Sequence, residues 1–123
     1  MQLYSTNSQF DVSVVIPARN ESKYICRAIS SIANQKWPLN RVEVVVVDNG
    51  STDGTSEVAS TCTSRFRGIN FSLLAEDLRG RGRAKNLGAK FAKGRILIFM
   101  DADSYAASNL ISTVMRYVVK GYP

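Results

Sequence analysis

The run VEVVVV at residues 42–47 narrows the choice of fold more than any other stretch of this chain. Side chains alternate across an extended strand, so its valines point to both sides. A strand with one wet face alternates apolar and polar residues. This one does not, and it reads as a central strand of a parallel sheet covered on both faces. A parallel neighbour cannot be reached by a tight turn, so each crossover needs a helix or a similar length of chain.

The rest of the sequence supplies those crossovers in order. Strand-like runs occupy 11–17 (DVSVVIP), 41–47, 69–75 and 95–100. Between and after them come helical patterns. Residues 22–35 carry Ile25, Ala28, Ile29, Ile32 and Ala33 on one face, and Trp37-Pro38 closes that helix. Residues 52–64 follow the turn and cap Asn49-Gly50-Ser51-Thr52-Asp53. Residues 84–93 place Ala84, Leu87, Gly88 and Phe91 together, and 108–120 carry a stripe from Leu110 to Val118. The alternation predicts an α/β domain, a mostly parallel central sheet flanked by helices on both faces. Residues 1–11 read as a polar lead-in and 12–123 as one domain, long enough to hold a core.

Formal net charge is +6, which favours anionic ligands: phosphates, nucleotides, nucleic acid or an anionic membrane face. The chain has no histidine, which excludes Ser-His or Cys-His chemistry and histidine metal sites within it. Cys26 and Cys62 fall in separate predicted helices without metal-type spacing, and read as reduced structural thiols of a cytosolic protein. No apolar run approaches the roughly 20 residues of a membrane-spanning helix. The first ten residues, MQLYSTNSQF, lack the basic and apolar segments of a signal peptide.

In a parallel sheet ligands bind beyond the carboxyl ends of the strands. The conspicuous polar sequences all fall there: 17–21 (PARNE), 48–51 (DNGS), the basic stretch 79–85 (RGRGRAK) and 101–103 (DAD). Asp101 and Asp103 directly follow the apolar run RILIFM, and their alternate spacing points both carboxylates to one side. Such a pair suits a hard cation, Mg²⁺ or Mn²⁺, that takes further ligands from a diphosphate and water. The plainer reading has one aspartate capping the next turn and the other solvated. Asp48 and Asn49 end the second strand. Asn49 has the donors and acceptor that a base edge needs, whereas Asp-Asn-Gly-Ser is also an ordinary turn capped by Asp48. The glycines and arginines of 79–85 open a helix, a natural phosphate site, or else form a solvated basic loop. Glu21 is favoured at a helix start by the dipole, with or without a ligand contact.

Taken together, these segments resemble the nucleotide-binding half of a family 2 glycosyltransferase of the GT-A fold. SVVIPARNE (13–21) is similar to the family's first strand and P-x-x-N-E turn, and SSIANQKWP (30–38) to the end of its first helix. VVVVDNGSTDGT (44–55) is similar to its D-[DN]-G-S-T-D segment, and GRGRAKNLGAKFAKGRILIFMDADS (80–104) to its A-R-N-x-G helix and D-x-D strand. The order is the family's, from about residue 12 onward.

By that resemblance Pro17, Ala18, Arg19 and Glu21 line a nucleotide pocket. Asn49 faces the base with Asp48 beside it, although many members have Asp in place of Asn49. Lys85 stands where A-R-N has its arginine, so the basic contact comes from Lys85 or Arg83. Asp101 approaches the ribose or the metal's water shell, Ala102 lies against the nucleotide, and Asp103 coordinates Mn²⁺ or Mg²⁺. The implied reaction moves a sugar from a nucleoside diphosphate sugar, UDP- or GDP-linked, to an acceptor hydroxyl on a saccharide, lipid or protein, with inversion. No acidic residue follows Asp103, so the general base is expected in a second half. On this reading the chain binds donor, at a cytoplasmic location or the cytoplasmic face of a membrane. Peripheral membrane association fits the charge, and an uncovered sheet edge would allow a homo-oligomer.

Other readings fit less well. A sugar nucleotidyltransferase would place a Gly-rich loop where Pro17-Ala18-Arg19-Asn20 stands. Nucleic acid is not expected as a partner, because the one arginine-glycine segment has no interleaved aromatics. A nonenzymatic nucleotide-binding or subunit-association domain derived from the same family is the alternative from another class.

Overall fold

A computed structural model describes residues 9–120. Residues 1–8 of the expected lead-in and the last three residues of the expected domain lie outside the described residues. Four strands, β1 (Phe10–Ala18), β2 (Val42–Asp48), β3 (Asn70–Ala75) and β4 (Gly94–Phe99), alternate with four helices, α1 (Ile25–Ala33), α2 (Thr55–Thr63), α3 (Arg81–Phe91) and α4 (Leu110–Val119). Phe10 and Asp11, counted above with the lead-in, belong to β1 and are buried. No helix among the described residues is long and apolar enough to cross a membrane.

The sheet order is β3-β2-β1-β4 and every pairing is parallel. The expected α/β architecture is present, with the sheet wholly rather than mostly parallel. β1 and β2 are the inner strands, which explains why VEVVVV lacks alternation. Val42, Val44 and Val46 join Val12, Val14 and Ile16 in the main core under α1, α2 and α4. Val45 and Val47 join Val15 on the opposite face, under Ala84 of α3. Both faces of the inner strands are therefore dry, as a doubly covered parallel sheet requires.

α3 approaches its face closely enough to exclude a side chain at Gly88. A Cβ there would lie 2.3 Å from Val15 Cγ1 and 3.3 Å from Val47 Cγ2. At the amino ends of the strands two polar clusters fix the layers. Asp11 accepts from Arg41 at 2.7 Å, Arg95 at 2.6 Å and Trp37 at 3.2 Å. Burial alone would raise the Asp11 carboxyl, but these three donors outweigh it and hold the carboxyl below its ordinary value. The buried Glu43 carboxylate accepts from the Ser13 hydroxyl at 2.6 Å and the Lys93 amide at 2.8 Å, anchoring the entry to β4.

α1 also fixes the chain that follows β4. Arg27, Ser31 and Gln35 follow one another at four-residue spacing, so they line one side of the helix and its end. Arg27 donates to the Asp103 carbonyl (3.1 Å), Ser31 Oγ accepts the Ala106 amide (2.9 Å), and Gln35 donates to the Ala107 carbonyl (2.6 Å). Gln35 Oε1 then accepts the Ile111 amide at 2.9 Å and serves as a remote cap for α4.

Cys26 and Cys62 form a disulfide between α1 and α2. This corrects the reading of both as reduced thiols: the two helices pack side by side on one face of the sheet, and each presents its cysteine to the other. A disulfide persists in an oxidising compartment, so the cysteines no longer support a cytosolic location.

Two outcomes test this packing. Gly88→Ala is expected to destabilise the protein by about 2 kcal/mol, because a Cβ 2.3 Å from Val15 Cγ1 puts overpacking at the upper end of about 1–3 kcal/mol, against a helix-propensity gain of about 1 kcal/mol. Urea unfolding with an unchanged slope checks it, and equal or greater stability would mean that α3 is not seated on Val15. Reduction of the 36-residue disulfide loop is expected to remove about 2–4 kcal/mol, read as a lower melting temperature that Cys26→Ala reproduces.

Candidate functional site

The carboxyl ends of β1, β2 and β4 meet the start of α3 around an open cleft of about 420 Å³. β2 and β3 lie to one side of β1 and β4 to the other, so the strand order reverses at β1. Loops leaving β1 and β4 diverge there, and open α/β sheets place their ligands at such a point.

One wall is acidic. Glu21 comes from the β1 loop, Asp101 and Asp103 from the end of β4, and Ala102 packs beneath them in the core. Asp101 and Asp103 are exposed, and no described residue bonds to either carboxylate. The backbone carrying them is fixed. Ser104 donates its amide to the Asp101 carbonyl at 3.0 Å, and Arg27 holds the Asp103 carbonyl. The Arg27 guanidinium lies 4.7 Å from the ring centre of Tyr105 and 5.6 Å from that of Tyr24, which limits its rotamers. Burial and then the charges of Asp103, Asp53 and Asp101 push the Glu21 carboxyl above its ordinary value.

The donor set fits a hard divalent cation held by two oxygen ligands from the protein. No group of three or more His, Cys, Asp or Glu side chains placed to hold a metal occurs among the described residues. A cation here would therefore take its other ligands from water and from an anionic ligand.

The other wall is basic. Arg79, Gly80, Arg81 and Ala84 bring the first turn of α3 to the cleft, and Arg19 adds a cation from the β1 loop. Gly80 has φ 142°, a conformation that side chains rarely adopt, and it turns the chain into the helix. Free amides and the positive end of the helix dipole coincide with Arg79 and Arg81. An anion between the two walls would meet cations on one side and a carboxylate-bound cation on the other.

The structure brings Pro17, Ala18, Arg19, Glu21, Asn49, Asp101, Ala102 and Asp103 together around the cleft. Asp48, Arg83 and Lys85 stand outside its wall. The Asp48 carboxylate accepts the Ser51 amide at 3.0 Å and the Ser56 hydroxyl, which is the turn-capping role. α3 begins at Arg81, not at Ala84 as the pattern predicts, and this decides which basic residues face the cleft. Arg83 is about 200° around the helix from Arg81. Lys85 is one turn further along, with its ammonium 5.7 Å from the ring centre of Phe99. Arg79 and Arg81 line the cleft where Arg83 and Lys85 do not. Their signal, the basic stretch itself, was present in the sequence, but the helix phase was not.

A second network ties the β1 loop to the β2 loop. Asn20 sits at φ 55° and accepts the Thr52 amide at 2.8 Å, while its own amide donates to Ser51 Oγ at 2.8 Å. The Glu21 amide donates to Thr55 Oγ1 at 3.0 Å, and the Ser22 amide to Asp53 at 3.1 Å. Asp53 also accepts from the Thr55 hydroxyl and amide. The Thr55 hydroxyl contributes most, against some desolvation, and with Ser22 lowers the Asp53 carboxyl to about 2.

Compared with known proteins, residues 13–122 match the family described as glycosyl transferase family 2. Glycosyltransferase AglE of Haloferax volcanii is 37% identical over 92 residues, covering 75% of this chain and 30% of that protein. The poly(ribitol-phosphate) β-N-acetylglucosaminyltransferase TarS of Staphylococcus aureus is 31% identical over 106 residues, covering 86% of this chain and 18% of TarS. The chain thus spans less than a third of either relative. Among solved structures, TarS 1-349 in complex with UDP superimposes with TM-score 0.82 at 28% identity, over 90% of this chain and 32% of that one. The mannosyltransferase PcManGT of Pyrobaculum calidifontis, in complex with GDP-Man and Mn²⁺, gives 0.83 at 28% identity, over 94% and 34%.

The loop network makes a pH prediction. The folded Asp53 carboxyl is depressed from 3.8 to about 2, so its stabilisation is complete above 3.8 and is lost as pH falls through about 2. The Ser22 and Thr55 amide resonances are expected to titrate with a midpoint near 2. Asp53→Asn is expected to abolish that titration and quicken exchange of both amides. A midpoint at the ordinary carboxylate value would show that the two loops are not joined this way.

Proposed function

The chain belongs to glycosyl transferase family 2, and on that premise we propose that its cleft binds the nucleoside diphosphate of an activated sugar. A divalent cation, Mn²⁺ or Mg²⁺, would sit between the diphosphate and Asp103. The observation that carries the reading is the opposition of two unbonded carboxylates, Asp101 and Asp103, to the basic start of α3 across one cleft. Carboxylates alone would repel a diphosphate, and the arginines alone would not need the aspartates. A diphosphate with its cation uses both walls.

The solved structures support this choice of ligand class, since TarS is bound to UDP in one and to UDP-GlcNAc in another, and PcManGT to GDP-Man with Mn²⁺. For this chain, Asp103 and Asp101 would hold the cation, with Asp101 also near the ribose. Arg79, Arg81 and Arg19 would balance the phosphates, and Pro17 and Ala18 would wall the nucleoside. When bound, the cation neutralises charge that develops on the leaving diphosphate. The arginines would add positive charge at the same place, and the α3 amides would do so from positions that the helix already fixes.

In the whole protein the proposed reaction is sugar transfer to an acceptor hydroxyl with inversion. That step needs a base for the hydroxyl proton, typically contributing about 10²–10⁴-fold. No acidic residue follows Asp103, so the described stretch is assigned donor binding and stabilisation of the leaving group.

Calorimetric titration with UDP and GDP in Mn²⁺, repeated in EDTA, tests the assignment. Affinity is expected to fall at least about tenfold in EDTA and to a similar extent in Asp103→Ala. Binding that neither treatment weakens would remove the cation from the site.

A further inference from the structure

Asn49 is the strand-end residue whose type suggested contact with a nucleobase, but the structure commits its amide elsewhere. The side-chain nitrogen donates to the Glu76 carbonyl at 2.8 Å and the Leu78 carbonyl at 2.9 Å. The side-chain oxygen accepts the Gly80 amide at 3.1 Å. A primary amide has two N–H donors, and both are used. The residue is only 6% exposed, so no donor is left to read a base edge.

All three partners are backbone groups of the segment linking β3 to α3. Its other attachments are the Glu76 amide to the Asp48 carbonyl at 3.0 Å, and the Leu78 amide to its neighbour Glu76 Oε1 at 3.0 Å. From Leu78 to Gly80, then, Asn49 fastens the segment to β2. That stretch carries Arg79, ends at the left-handed Gly80 and opens into Arg81, the residues of the basic wall. An aspartate at position 49 could not serve, because a carboxylate has no N–H to give and would face two carbonyl oxygens.

We propose that Asn49 is a positioning residue: its side chain latches the 76–80 segment to β2 and thereby places Arg79 and Arg81 against the donor's diphosphate, and it does not read the nucleobase. The diphosphate half of this rests on the donor-binding reading above, whereas the latch does not.

The test compares Asn49→Asp, Asn49→Ala and the double variant Arg79→Ala/Arg81→Ala with the unaltered protein. Amide exchange at 78–81 is measured without ligand, and affinities are measured for pyrophosphate, UDP and GDP, each with Mg²⁺. Asn49→Ala, which removes all three hydrogen bonds, is expected to speed exchange at Gly80 at least about tenfold, and Asn49→Asp, which keeps only an acceptor for the Gly80 amide, is expected to speed exchange at Leu78 and Arg79. Pyrophosphate and UDP should lose affinity by the same factor, with the UDP-to-GDP preference unmoved. The double variant should lose pyrophosphate to a similar extent while exchange at Gly80 stays slow.

Unchanged exchange at 78–81 overturns the latch. A fall in UDP affinity with pyrophosphate retained, or a moved UDP-to-GDP preference, makes Asn49 a base reader. Should both Asn49 variants fail to fold, full pyrophosphate affinity in the double variant still overturns the proposal. If the unaltered protein binds none of the three ligands, the donor-binding reading and the diphosphate half fail together, and exchange alone decides the latch.

Discussion

The structure depends on β1 being paired on both sides. Val15 stands level with Val45 of β2 and with Phe99 of β4, and the ladder runs on to the Met100 amide on the Val15 carbonyl and the Asn49 amide on the Ala18 carbonyl. That register brings the ends of β1 and β2 level, and the chain leaving β4 at Met100 runs on toward the same edge. It also makes β1 the place where strand order reverses, so the loops after β1 and β4 part and leave a cleft. A slip of one residue would turn Val12, Val14 and Ile16 out of the main core and destroy the site with it.

The site is an electrostatic arrangement that the fold holds open. Like charges at Glu21, Asp53, Asp101 and Asp103 are costly together, and after burial they help to raise the Glu21 carboxyl. The α1 side chains at 27, 31 and 35 keep the β4 loop from relaxing away, and the Asn20 and Asp53 network does the same for the β1 loop. On the opposite side, the Asn49 amide holds the arginine-bearing segment. A cation and an anionic ligand together would relieve both walls, which is why neither wall is explained alone.

What the sequence disclosed followed from short-range regularities. VEVVVV announced an inner strand, and RILIFM followed by DAD placed two carboxylates at a strand end, because both signals are carried by neighbouring residues. The start of α3 was hidden by Gly80 and Gly82, weak helix formers that read as loop. Arg83 and Lys85 were expected from the resemblance to A-R-N, whereas Arg79 and Arg81 line the cleft. Cys26 and Cys62 are 36 residues apart, and only the packing of α1 on α2 shows that they meet. Asn49 lines the cleft, but its side-chain partners are backbone carbonyls and an amide, groups that every residue carries and no sequence pattern marks.

The proposed function requires one cleft, at the carboxyl ends of β1, β2 and β4, to take a nucleoside diphosphate with its cation. Mapping backbone amide resonances while UDP and Mg²⁺ are added tests this. Shifts are expected to concentrate at 17–21, 79–84 and 101–103, with the amino ends of the strands unmoved. Shifts centred elsewhere, or saturating binding that leaves 101–103 unperturbed, would contradict it.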